Sequence, residues 1–159
     1  MKKRLISLCL AVLLTGCAAK HTDHTVKMDD LSFTLPYTFT DMSGDSTENP
    51  NQAFMYAQDN LYITGFQESK AELSKYFQYI SLGAYVQMFC ENYFPDIPAQ
   101  HTDDIWNIVY TTAIDGKDYT FLCLFYETQE SFWRVQACCP SEDFAENQQV
   151  MWDYLSSAD

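Results

Sequence analysis

Asp115-Gly116 is the dipeptide that most narrows what this chain can become. It separates two runs rich in β-branched and aromatic residues, Ile105–Ile114 and 117–126. Asp-Gly tolerates the positive φ angles that a tight two-residue hairpin turn requires, and the twist of that turn matches the strands it joins. Such a turn sets the register of everything on either side. Ile114 should face Lys117, Tyr110 should face Phe121, Ile108 should face Cys123 and Trp106 should face Phe125. One face of the hairpin then carries Trp106, Ile108, Tyr110, Phe121, Cys123 and Phe125, and the other carries Val109, Leu122 and Leu124 among polar residues. With apolar side chains on both faces, the sheet needs cover on both.

The flanking segments suggest how that cover is supplied. A third strand, 131–139, follows a polar turn near 128–130. Pro140-Ser141 then introduces a final helix. There Ser141 is placed to cap, Glu142 and Asp143 sit at the positive end, and Phe144, Gln148, Met151, Trp152 and Leu155 share a stripe. Upstream, His24–Met28 and Leu31–Leu35 flank Asp29-Asp30, and 53–58 and 61–67 flank Asp59-Asn60, giving two further hairpins. The stretch 69–79 is polar and helix-permissive. Ser81 can cap a stronger helix, Leu82–Tyr93, with Leu82, Tyr85, Val86, Phe89 and Tyr93 on one stripe and Pro95 and Pro98 beyond its end. Segment 41–51 reads as the one long loop. The order predicts an α+β fold, in which the helices can lie on one face of the meander while an early hairpin covers the other.

The first residues carry an address. Lys2-Lys3-Arg4 precede an apolar run from Leu5 to Leu14, the pattern of an export signal and too short for a membrane span. Leu14-Thr15-Gly16-Cys17 resembles the lipobox of bacterial lipoproteins. That resemblance implies a signal peptide at 1–16, a diacylglyceryl group on Cys17, a short tether at 17–23 and a single α+β domain over 24–159. It also implies a cell-membrane-anchored location on the extracytoplasmic side of the envelope, with the outer membrane as one option in a host that has one. Of the nine Lys and Arg residues in the chain, three fall in this signal, so its removal leaves six against 22 Asp and Glu, a formal charge of −16. A polyanion lacks the cations whose contacts drive nucleic-acid binding, and anionic headgroups repel it. Attachment to the membrane therefore falls to the acyl chains.

Three features of the body resemble the PsbP-type fold, named for an extrinsic photosystem II subunit and shared with the Ran-binding Mog proteins. They are the opening Phe33-Thr34-Leu35-Pro36-Tyr37-Thr38-Phe39, the meander containing Trp106 and Tyr119, and Cys139-Pro140 leading into the last helix. The resemblance covers roughly residues 24–159. It implies an α/β/α sandwich in which an antiparallel sheet, the C-terminal meander plus N-terminal hairpins, is packed with helices. It also implies a non-catalytic binding or assembly role. No photosystem- or Ran-binding position carries over, because fold analogy alone does not license function.

Candidate chemistry is sparse. Cys90, Cys123, Cys138 and Cys139 remain after the signal. Cys123 should lie opposite about residue 135, too far from Cys138 for a disulfide; buried free thiols are therefore the leading reading, with Cys90 and Cys138 or Cys139 as the one remaining pair. Adjacent Cys138-Cys139 lacks zinc-ligand spacing. His21-x-x-His24 with Asp23 sits in the tether, where nothing would preorganise it for metal. Asp41, Asp45 and Glu48 do not follow an EF-hand. His101 with Asp103 and Asp104 has the partners a general base needs, but a solvated loop between Pro98 and the Trp106 strand is the better reading. No phosphate loop, nucleophile elbow or metalloprotease motif is present, and no cofactor or metal is expected. Tyr56, Tyr62 and Phe66 are candidates to face outward from early strands, where aromatic side chains favour interfaces. The expected role is a lipid-anchored, non-enzymatic binding or accessory protein for a protein or envelope partner. The alternatives are a small hydrolase using His101 with a nearby carboxylate, or an inhibitor-type lipoprotein.

Overall fold

The computed structural model describes residues 22–44, 49–77 and 79–159. Cys17, His21, Asp45 and Glu48 therefore lie outside the described residues. The Asp115-Gly116 turn forms with φ of 50° and 78°, and it joins β7 (Ile105–Ile114) to β8 (Lys117–Glu127) in the expected register, from Ile114 opposite Lys117 to Trp106 opposite Phe125. After a tight turn comes β9 (Ser131–Pro140), antiparallel to β8. The early hairpins also form at the expected places. They are β1 (His24–Met28) with β2 (Leu31–Leu35), and β4 (Gln52–Gln58) with β5 (Leu61–Ser69), while a two-residue edge strand β3 (Thr40–Asp41) pairs with β4. At both early hairpins an Asp with positive φ, Asp29 (55°) or Asp59 (51°), takes the first turn position. A short β6 (Gln100–Thr102) pairs with β7 through a turn at Asp103-Asp104. The segment expected as a loop around His101 is thus an edge hairpin, because Asp103 and Asp104 both accept positive φ (49° and 64°).

These strands make one seven-stranded antiparallel sheet in the order β3-β4-β5-β9-β8-β7-β6, with β1-β2 as a separate two-stranded layer. The long-range step is β5 pairing with β9, from Tyr62 opposite Cys138 to Ser69 opposite Ser131. At Gly65 the absent side chain matters, since a Cβ there would lie 2.2 Å from the Phe54 ring on β4. That ring occupies the space instead and stacks toward Trp133 with centroids 6.2 Å apart.

The helices take opposite faces. A short α1 (Lys70–Leu73) precedes α2 (Leu82–Tyr93), which buries Tyr85, Val86, Phe89 and Cys90 against Ile108, Cys123, Phe125 and Phe132. Ser81 caps α2, its Oγ accepting from the Ala84 amide at 3.3 Å. The expected stripe ran on to Tyr93, which is instead 68% exposed. Helical geometry breaks at Phe94 (φ −142°, ψ 58°), and the Phe94 ring packs on Tyr110 in its place, with centroids 4.2 Å apart. On the other face, α3 (Phe144–Ser156) and the β1-β2 hairpin bury Leu122, Leu124, Trp133, Val135 and Ala137. The element order alone allows both helices on one face, whereas the α/β/α sandwich implied by the PsbP resemblance puts helices on both, and the latter forms. A helix with its side chains is about 10 Å across, enough for about two strands at 4.8 Å spacing, so each apolar face of the meander takes its own helix. Ser141 does not cap α3. It lies in a 3₁₀ turn (Ser141–Asp143), where its Oγ bonds Thr120 Oγ1 at 2.8 Å.

Candidate functional site

The width of the sheet leaves part of it bare. Seven strands span about 29 Å, and α2 lies over β7, β8 and the near end of β9. On the α2 face, no helix among the described residues therefore covers β4, the middle of β5 or the far half of β9. The strand alternation records this directly. Ile63, Val135, Ala137 and Cys139 point to the α3 face and are at most 1% exposed, whereas Tyr62, Thr64, Phe66, Arg134, Gln136 and Cys138 point the other way and are half-buried. Met55 on β4 stands in register with Thr64 and joins the second set. Aromatic rings, Met and Arg with few carboxylates make up the composition of an interface core.

Arg134 is the centre of this face. Its guanidinium is sandwiched between the Phe66 ring on the neighbouring strand (4.2 Å) and the Phe89 ring on α2 (4.5 Å). Lys70, Lys75 and Lys117 pair with Glu127, Glu72 and Glu142, but no such ion pair reaches Arg134 among the described residues. Its buried Nε has no hydrogen-bond partner, and neither has the Nε2 of Gln52, which stands in register on the opposite side of Phe66. Two orphaned donors flanking one exposed-edge ring are unusual, since buried donors are normally satisfied. At this face the protein can offer stacking surface and a cation to a partner, while the two orphaned donors stay beneath the surface.

The structure scatters the other candidates. His101 lies on β6 with its ring against Trp106 (centroids 4.8 Å), and no hydrogen bond joins it to Asp103 or Asp104, which are occupied in the turn. The acid–imidazole pair that hydrolysis would need is not assembled. His24 is used structurally, its Nε2 within 2.8 Å of the Phe39 carbonyl and its ring against Tyr56. Tyr56 itself is buried, so of the three early-strand aromatics only Tyr62 and Phe66 reach the open face. Asp41 Oδ1 accepts from the Ser43 amide at 2.9 Å. Among the described residues no group of three or more His, Cys, Asp or Glu is placed to hold a metal, and no helix is long and apolar enough to cross a membrane.

The Cys90–Cys139 pair, held as the alternative to free thiols, does not form. All four cysteines are free. Cys90 belongs to the core under α2, whereas Cys139 belongs to the core under α3, so the whole sheet stands between them. The cause is a one-residue register slip. Cys123 lies opposite Gln136 and not residue 135, which exchanges the faces of Cys138 and Cys139.

One key residue was missed. Asp29, in the turn of the separate hairpin, reaches the main sheet. Its carboxylate accepts from Trp133 Nε1 (3.0 Å), Thr128 Oγ1 (2.7 Å) and Gln67 Nε2 (3.0 Å). Burial opposes its charge, but these donors outweigh burial and hold the carboxyl below its usual range. Sequence identifies Asp29 as a turn residue, and nothing local shows that its side chain latches onto residues about a hundred positions away.

No protein-family model matches the chain, and no curated protein matches it by sequence. Solved structures do. The solution structure of cyanobacterial PsbP (CyanoP) from Synechocystis sp. PCC 6803 superposes with a TM-score of 0.61 over 91% of this chain and 95% of its own, at 7% identity. The fold is PsbP-like. The Ran-binding protein Mog1p of Saccharomyces cerevisiae matches with a TM-score of 0.50 over 87% of this chain and 95% of its own, at 8% identity. At such identities the likeness is one of fold, with the antiparallel sheet and flanking helices in common.

Proposed function

We propose that this protein is a lipid-anchored accessory domain of the bacterial cell envelope that docks a protein partner on the open half of its sheet. The observation that carries this reading is Arg134 held between Phe66 and Phe89 at the margin of α2, without a carboxylate partner among the described residues, beside a stretch of sheet that no described helix covers. Aromatic and Arg side chains are the commonest hot spots of protein interfaces, and in a chain of formal charge −13 an unpaired guanidinium is conspicuous. Mog1p, with the same fold, is a Ran-binding protein, so the scaffold is compatible with protein docking. Neither Ran nor a photosystem is implied here. The His101 hydrolase reading loses support from the absent acid–imidazole contact.

The anchoring half of the proposal rests on Leu14-Thr15-Gly16-Cys17. Residues 18–23 would reach roughly 20 Å when extended, holding the body near the extracytoplasmic surface. A Cys17→Ser chain should fold normally and move from the membrane to the soluble fraction; retention on the membrane would overturn the anchoring. For docking, a photo-crosslinking residue at position 62 should give a discrete protein adduct in cells, whereas one at exposed Asp118 should not. No adduct at 62, or equal adducts at both, would sink the docking face.

A further inference from the structure

On the α3 face, a cleft of about 580 Å³ lies between α3 and the edge strands β6 and β7. Asn107 of β7 lines it while being only 3% exposed. Asn is depleted in strands, and a buried amide costs free energy wherever its polar atoms go unmatched. Its Nδ2 makes one long bond, to the Ile105 carbonyl at 3.2 Å, and its Oδ1 has no protein partner. The residue opposite in register is Leu124, part of the apolar core, so an aliphatic side chain at 107 would extend that core. The amide instead faces the cleft, where its Oδ1 is open to a partner from outside the protein.

Its surroundings repeat the same chemistry. Gln100 stands in register with Asn107 on β6, and Gln148 and Gln149 come from α3. Gln149 donates to Asp153 at 2.8 Å, while the amides of Gln100 and Gln148 make no hydrogen bond within the protein. Half-buried Trp152 supplies a flat apolar wall, and among the described residues Asp103 is the only carboxylate lining the cleft. The cleft lies within the size range of small-ligand sites. Each neutral amide both donates and accepts, which suits hydroxyl groups that also do both, and an indole face suits the C–H face of a sugar ring. Among the described residues no cation lines the cleft to pair an anionic ligand, and one carboxylate is a poor match for a cationic one.

We propose that this cleft binds a neutral saccharide. It shares no residue with the open sheet face, so either proposal can fail alone. The test is calorimetric titration of the detergent-solubilised full chain with neutral trisaccharides of glucose, mannose and N-acetylglucosamine. A galacturonic acid trimer and glycerol serve as controls. At least one neutral trisaccharide should bind saturably, with a tryptophan fluorescence change that Trp152→Phe removes. Asn107→Leu should keep or raise the melting temperature while weakening binding by at least about tenfold. Should that variant misfold, exposed Gln148→Ala should still weaken binding. Absence of saturable binding by all three, equal binding of the uronic acid or glycerol, or undiminished binding by Gln148→Ala together with any folded Asn107→Leu would overturn the proposal.

Discussion

Strands β5 and β9 lead two different lives on their two faces. Toward α3 and the β1-β2 hairpin they present Ile63, Gly65, Val135 and Ala137, fully sealed. Toward the α2 face, the residues between those present Tyr62, Thr64, Phe66, Arg134 and Gln136, half in solvent. Backbone, neighbours and hydrogen-bond ladder are the same for both sets, and only parity and cover differ. Sealing therefore comes from the layers above the sheet, and the bare half marks where this molecule has surface to spare for another.

The largest effects should fall on the sealed face. Ile63→Ala is expected to cost about 2–5 kcal/mol in chemical denaturation, because it leaves a cavity under the hairpin. Gly65→Ala pushes a Cβ into the Phe54 ring, which is itself buried, and should cost about 1–3 kcal/mol. Thr64→Ala, between them in sequence but on the open side, should stay within about 1 kcal/mol. Comparable losses at 63 and 64 would break the comparison at its root.

Next in size is the latch that seals that face. Asp29→Asn keeps the turn residue's tolerance of positive φ but removes the charge that gathers Trp133, Thr128 and Gln67. Asp29 is exposed to solvent, so the loss should be only about 1–2 kcal/mol. The pH dependence follows from the sign of the shift. The folded pKa lies below the unfolded value near 3.8, so the stabilisation is fully present above that value and disappears as pH falls through the folded pKa. Wild type and variant should therefore differ at pH 7 and converge in strong acid. A difference that persists unchanged at low pH would assign the latch to packing, not charge.

How much of this was legible in the sequence depended on distance along the chain. The Asp115-Gly116 hairpin was readable to the residue because a two-residue turn admits one register. The connection from β8 to β9 was not. Glu127 pairs with Phe132 across a longer turn, and an error of one residue there was enough to exchange the faces of Cys138 and Cys139 and so suggest a pairing with Cys90. The β5–β9 pairing, which creates the open face, joins Tyr62 to Cys138 with no local signal. Tyr62 and Phe66 were visible as outward candidates, yet Arg134 was not, since its lack of a partner is a property of the assembled sheet. Asn107 was hidden for the opposite reason: an Asn inside a strand run reads as one tolerated polar residue until its burial is known.

The smallest expected effect is also the sharpest test of parity, because it compares neighbours. Cys138 is half-buried on the open face, while Cys139 is 1% exposed beneath the other layer. Burial pushes the Cys138 thiol up to about 12 and raises Cys139 as well, so neither is a ready nucleophile near neutral pH. Labelling of the native protein by a small alkylating reagent should accordingly be slow at pH 8 and accelerate as pH rises toward 10. Access, not acidity, should decide which sulfur reacts. Tandem mass spectrometry should find Cys138 modified ahead of Cys139 and of buried Cys123, and Cys138→Ser should remove the earliest phase while leaving stability nearly unchanged. Equal rates at 138 and 139 would mean that the two faces of β9 are equally closed. Arg134 and Gln136, on the same side as Cys138, would then lose their claim to an open surface.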